Sequence, residues 1–306
     1  MLLLFEYLIY AIGNMTLEES FVLKVHFLNV GKGNCTIIES PTNRLSMIDI
    51  DNSKTDDKER KLTDPVAFFV NLSKDASLFR FVLTHPDCDH LSGLNELASK
   101  VQIGNFWDTN HNKTISDDSW DKSPYDKRDW DRYLAFRNSK ENPKCLQLYR
   151  NATSECCWVE DGITILSPTE ELMKKSNDAP DDDEQKYHHL SYVLRLDYKG
   201  KRFLFGGDAS SDVWDDILKA YKAEELKADV FLVPHHGSKN NIHEKAFEAI
   251  APDYVVVSVD EGVDYDYAFY SKLGKCLSTK YHGNIDFEVN DEGKIEHVYV
   301  ERNAGT

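Results

Sequence analysis

The stretch Phe81-Val82-Leu83-Thr84-His85-Pro86-Asp87-Cys88-Asp89-His90 decides how this chain is read. Its first four residues are the apolar and β-branched types of a short buried strand, and the run stops abruptly at two imidazoles and two carboxylates. A strand delivers its end to the rim of a sheet, so the polar cluster reaches the surface where loops carry chemistry. Within six residues, His85, Asp87, Asp89 and His90 offer the nitrogen and oxygen donors that divalent cations take, with Pro86 and Gly93 bounding the turn.

Three further apolar runs end in the same way. Leu45-Ser46-Met47-Ile48 closes on Asp49, Lys201 to Gly207 closes on Asp208, and Val230 to Pro234 closes on His235-His236-Gly237-Ser238. Any one of these is how an ordinary strand ends, whereas four in one chain point to a shared metal site.

Taken in order, the motifs resemble the metallo-β-lactamase-fold hydrolases and, within them, the branch containing the soluble hydrolase domain of the ComEC competence protein. Val25 to Cys35, with its Gly31-Lys32-Gly33 turn, is similar to that branch's opening strand. His85 to His90 is similar to its His-x-Asp-x-Asp-His form, in which Asp87 stands where most of the superfamily has histidine. The resemblance implies an α/β (α+β) fold, the four-layer αββα sandwich, and two divalent metal ions, zinc or manganese. One ion is expected on His85, Asp87 and Asp208, the other on Asp89, His90, Asp208 and His236, with Asp208 as the bridge. His235 is the alternative to its neighbour, and Asp49 is expected to lie beneath the site and orient ligands.

Two places depart from the branch. His188-His189 stand where it tends to have asparagines, so one of them is expected as a further ligand, His188 being favoured. Asp264-Tyr265-Asp266-Tyr267 replaces a His-Pro-His element, and His282 either supplies the missing imidazole to a substrate oxyanion or caps a hairpin.

Composition bounds the rest. A chain of 306 residues, 41% apolar, can bury one large core. Residues 1–20 read as an N-terminal extension, with an apolar start that lacks a basic region and is too short to span a bilayer. Residues 21–306 read as one domain with an insertion at about 105–160, where Trp120, Tyr125, Trp130, Tyr133 and Phe136 gather around a predicted helix over Tyr125–Ser139. No later segment is a transmembrane candidate, and six cysteines without a CxxC pair read as reduced thiols, hence a cytoplasmic protein.

Function follows from the ligand set. Two close cations make a hydroxide available near neutral pH and draw charge from substrate oxygens, and an oxygen-rich site with Asp87 suits phosphate. The expectation is a metal-dependent phosphodiesterase, a nuclease acting on DNA, with Asp49, Asp89, Asp208 and His282 as its catalytic set. Ser238, Lys239, Trp130 and Arg132 are the expected substrate contacts. A net charge of -17 opposes a polyanion, so Arg44, Arg128, Arg132, Arg137, Lys140 and Lys239 would have to form a local groove, with Trp130 and Tyr133 stacking on unpaired bases. The alternatives are a small nucleotide or phosphoester hydrolase, or a metal-bound recognition subunit with protein partners in an operon-encoded defence complex.

Overall fold

The computed structural model describes residues 22–54, 61–152, 157–183, 186–260 and 264–302; the N-terminal extension expected over 1–20 lies outside them. Alternation sets the first layer. In β1 (Leu23–Phe27) the odd residues Leu23, Val25 and Phe27 face a second sheet, while His26 on the opposite face packs edge-on against Phe68. β1 belongs to an eight-stranded sheet ordered β16-β15-β1-β2-β3-β5-β7-β8. Its other members are β2 (Thr36–Glu39), β3 (Leu45–Ile48), β5 (Leu78–Val82), β7 (Ile103–Asp108), β8 (Lys144–Gln147), β15 (Ile285–Val289) and β16 (Ile295–Val300).

The second sheet has six strands, ordered β14-β13-β12-β11-β10-β9. These are β9 (Ile163–Ser167), β10 (Val193–Tyr198), β11 (Lys201–Phe205), β12 (Val230–Leu232), β13 (Tyr254–Val257) and β14 (Lys275–Ser278). A two-stranded ladder of β4 (Ile50–Asp51) and β6 (Leu91–Ser92) completes the set. Val25, Phe27, Val82, Trp107, Phe205, Leu232 and Phe287 share the core between the sheets. The outer face of the first sheet is covered by the helices Pro65–Ser73, Leu94–Lys100 and Lys127–Arg137 through Phe69, Leu97, Trp130 and Tyr133. That of the second is covered by Glu170–Asp178, Ser211–Ala220, Glu244–Ile250 and Tyr267–Leu273 through Leu172, Trp214, Phe247 and Tyr270. The result is the αββα sandwich.

Each sheet combines antiparallel hairpins with a parallel run. β3-β5-β7-β8 and β11-β12-β13-β14 are parallel runs. One of the covering helices lies between each successive pair. This arrangement places the site. In open parallel sheets, ligands bind beyond the carboxyl ends of the strands. Asp49 follows β3, His85 follows β5, Asp208 follows β11 and His235-His236 follow β12, so both sheets deliver their polar ends to one edge.

Among the described residues, no helix is long and apolar enough to cross a membrane. The five described cysteines are free.

Candidate metal centre

Thr84 and Asp49 organise the first imidazoles. Asp49 Oδ1 accepts the Thr84 backbone N–H at 2.7 Å, and its Oδ2 accepts both the Thr84 hydroxyl and His90 Nδ1–H at 2.7 Å. A carboxylate oxygen can only accept, so His90 carries its proton on Nδ1 and turns the lone pair of Nε2 to the other side. The Thr84 hydroxyl has given its proton to Asp49, and its oxygen lies 3.1 Å from His85 Nδ1, which fixes the same tautomer there. His236 does likewise, with Nδ1 on the Ser258 carbonyl oxygen at 3.2 Å.

The freed nitrogens converge on Asp208. Its Oδ2 lies 3.9 Å from His85 Nε2, 3.6 Å from His90 Nε2, 3.5 Å from His235 Nδ1 and 3.8 Å from His236 Nε2. The Asp208 backbone N–H is held by Ser191 Oγ at 3.0 Å. Four ligand triads, with donor atoms within 4.8 Å of one another, share this residue or flank it: His85, His90 and Asp208; His85, Asp87 and His188; Asp89, His90 and His236; and His188, Asp208 and His235. Both histidines of the His235-His236 pair therefore face the site. They do so because His235, His236 and Gly237 all take left-handed backbone conformations, with φ of 51°, 54° and 76°. Of the other pair, His188 reaches Asp87 Oδ2 at 3.3 Å, whereas His189 turns away to Ser210 Oγ at 2.7 Å.

Electrostatics favour a cation in this space. Burial would push the Asp208 carboxyl up, but His90, His235 and His236 outweigh it and hold the group well below the usual carboxylate range. Burial likewise opposes ionisation of Asp87, and His85, His188 and Lys113 overcome it. His90 is pulled the other way: burial disfavours its charge, yet Asp49 and Asp208 raise it well above an ordinary histidine. Burial lowers His235 to about 4, so its imidazole is neutral. The Nε2 atoms of His85, His90, His235 and His236, and Nδ1 of His188, are buried without a hydrogen-bond partner. Buried nitrogens left unpaired cost about 1–3 kcal/mol each, and two triads that each set two imidazoles beside one carboxylate fit divalent ions that would satisfy them.

Several expected substrate contacts are placed elsewhere. Trp130 and Tyr133 are 3% and 0% exposed within the outer core, so neither offers a face to a base. Arg132 donates from Nε to Asn95 and lies over Phe136. Lys239 pairs with Asp264 at 2.7 Å, and Ser238 bridges to Tyr265. His282 stands outside the ligand triads, and its Nδ1 accepts the Ser278 backbone N–H at 3.1 Å. Residues that sequence reasoning passed over include Thr84, Ser191, Ser258 and Lys113. A threonine at a strand end, two serines and a lysine in an ordinary loop carry no local signal; they count here because of partners distant in sequence.

No family model matches the chain. It is similar to ComE operon protein 3 of Bacillus subtilis (strain 168), with 23% identity over 167 residues, 55% of this chain and 21% of that protein. The match therefore spans about a fifth of that relative's length. Similar solved structures include a metal-dependent hydrolase of the β-lactamase superfamily, at 14% identity, 84% coverage of this chain, 95% of that one and a TM-score of 0.48. Another is zinc-bound PqqB from Methylobacterium extorquens, at 11% identity, 83% and 97% coverage and a TM-score of 0.45. The αββα layering of this chain, two mixed sheets with helices on both outer faces, is the architecture that the sequence resemblance led one to expect.

Proposed function

We propose that the protein is a metal-dependent hydrolase that cleaves phosphodiesters at a two-ion centre. The observation that carries this reading is the pair of triads on either side of Asp208, with their ring nitrogens buried and unpartnered. His85, Asp87 and His188 would hold one ion, and Asp89, His90 and His236 the other, with Asp208 in reach of both. When bound, such ions supply Lewis acidity, lowering the pKa of water and drawing charge from the ester oxygens. The chain's own part is orientation. Thr84 and Asp49 hold His85 and His90 in the tautomer whose lone pair faces inward, the Ser258 carbonyl does the same for His236, and Ser191 fixes Asp208.

The proposed substrate ranges from DNA, the sequence expectation, to a small nucleotide or phosphoester. Specific observations favour the small diester. Arg44 is engaged by Asp161 and Glu160, Arg128 by Asp126, Arg137 by Asp108 and Lys239 by Asp264. Four of the six basic residues expected to line a groove are thus committed to carboxylates, and Trp130 and Tyr133 are buried away from any base.

Protein reconstituted with Mn²⁺ or Zn²⁺ and offered single-stranded DNA, duplex DNA, bis-p-nitrophenyl phosphate and p-nitrophenyl acetate tests the reading. Turnover of the phosphate diester is expected, with DNA cut slowly or not at all. Cleavage of the acetate alone would refute phosphodiester chemistry. Binding of two ions with no turnover of any ester would favour the recognition subunit and its protein partners.

A further inference from the structure

Two lysines from different parts of the chain rest on the carboxylates of the two triads. Lys113 Nζ lies 2.5 Å from Asp87 Oδ1, and Lys32 Nζ lies 3.3 Å from Asp89 Oδ2. Asp87 is divided between two tasks: Oδ2 faces His85 and His188 at 3.5 and 3.3 Å, leaving Oδ1 to the ammonium. An ammonium has three N–H donors, and one carboxylate oxygen uses one of them. The Lys113 side chain is 19% exposed and that of Lys32 is 49% exposed, so both also meet solvent at the mouth of the site.

Lys113 is held by a scaffold out of proportion to an ordinary surface lysine. Its backbone N–H donates to His111 Nδ1 at 2.9 Å. His111 Nε2 meets the Tyr133 hydroxyl, which donates to Asp108 Oδ1 at 2.8 Å. Arg137 closes the network, with Nη2 donating to the His111 backbone carbonyl and Nε 3.3 Å from Asp108 Oδ2. The Tyr187 ring lies beneath the ammonium, 5.1 Å from Nζ. Asp108 and Tyr133 are fully buried, so the loop after β7 is anchored to the core where it presents this one cation.

We propose that Lys113 and Lys32 are substrate-positioning residues that grip the nonbridging oxygens of an anionic ester from two sides while staying bonded to Asp87 and Asp89. In a chain of net charge -17, they supply the positive field that such a substrate needs at the point of entry. This proposal rests on the phosphodiester reading above.

Lys113→Gln and Lys32→Gln, with Lys127→Gln as a control for the same change in net charge, separate the possibilities. Each is loaded with Mn²⁺, its metal content is measured by elemental analysis, and its affinity for inorganic phosphate by calorimetry. KM and kcat for bis-p-nitrophenyl phosphate follow. Each site variant is expected to keep the parent's metal content, bind phosphate about tenfold more weakly and raise KM more than it lowers kcat, whereas Lys127→Gln tracks the parent. Unchanged phosphate affinity in both variants, or metal content falling in step with it, overturns the proposal while the hydrolase reading stands. A metal-loaded parent that neither binds phosphate nor turns over the diester overturns both.

Discussion

Asp49 illustrates how much of a metal centre can depend on a residue that touches none of the proposed ions. It sits at φ 56°, a conformation that aspartate tolerates better than most side chains, and from there accepts three hydrogen bonds that fix Thr84 and His90. Asp49→Asn is expected to weaken metal affinity by about 10- to 100-fold while leaving the ligands in place. Asp208→Asn should abolish both metal binding and turnover, because its carboxylate stands beside both triads. A metal titration followed by elemental analysis distinguishes the two, and equal, complete loss in both variants would show that their roles are misassigned. Much of this centre was legible in the sequence because ligand chemistry is local: His85 to His90 announces itself within six residues. The choice between His188 and His189 was not, since it depends on which ring a short turn aims at Asp87. Nor could sequence show that His235 and His236 both face inward, because adjacent side chains ordinarily diverge and only the left-handed backbone at both positions brings them together.

At the level of elements, strands whose apolar run ends on a polar ligand were readable even when as short as Leu45–Ile48 and Val230–Leu232, and strands without that signal were harder to read. β14 is four residues, Lys275-Cys276-Leu277-Ser278, too brief and mixed to show a period. The helix Tyr267–Leu273 carries Tyr267, Phe269 and Tyr270, an aromatic content typical of strands; what starts it is Asp266, whose carboxylate accepts the Phe269 N–H. The region expected as an insertion is partly sheet, since β7 and β8 extend the first layer and Trp107 and Trp158 lie in the core between the sheets. One ion pair ties this region to its neighbour. Arg80 of β5 is fully buried, donates to Asp161 Oδ2 at 3.0 Å and Ser46 Oγ at 2.9 Å, and lies between the Phe79 and Trp107 rings. Asp161→Ala leaves that guanidinium without its counter-charge, and a loss of about 3–5 kcal/mol is expected in urea unfolding. Arg80→Met combined with Asp161→Leu should lose less than the single change, because no buried charge remains. A single variant as stable as the parent would mean that Ser46 and the rings suffice.

On the scale of the whole molecule, stability should depend on pH through His26, which joins three strands. Burial disfavours its charge, but hydrogen bonds from Nδ1 to Asp286 at 2.8 Å and from Nε2 to Glu39 at 3.0 Å outweigh this and raise it from 6.5 to about 9. The folded state therefore holds this proton more tightly than the unfolded one. The contribution is complete below pH 6.5 and disappears as pH rises through 9, with an upper bound of roughly 3 kcal/mol. Thermal midpoints measured across that window should fall more for the parent than for His26→Gln; parallel slopes would refute the linkage. Removing metal should also lower the midpoint at fixed pH, because ions that bind only the folded chain stabilise it by mass action, and adding Mn²⁺ or Zn²⁺ after EDTA should restore it. The pairing that carries His26 has a further consequence, in the time it takes to make the protein. β1 forms its ladder with β15, and His26 meets Asp286, 260 residues later. At the usual speed of synthesis, the nascent β1 therefore waits on the order of ten to fifty seconds at the ribosome with one edge unpaired. Chains released before the final hairpin would keep that edge open to one another, so premature termination near Gly283 should yield aggregates rather than a smaller folded protein.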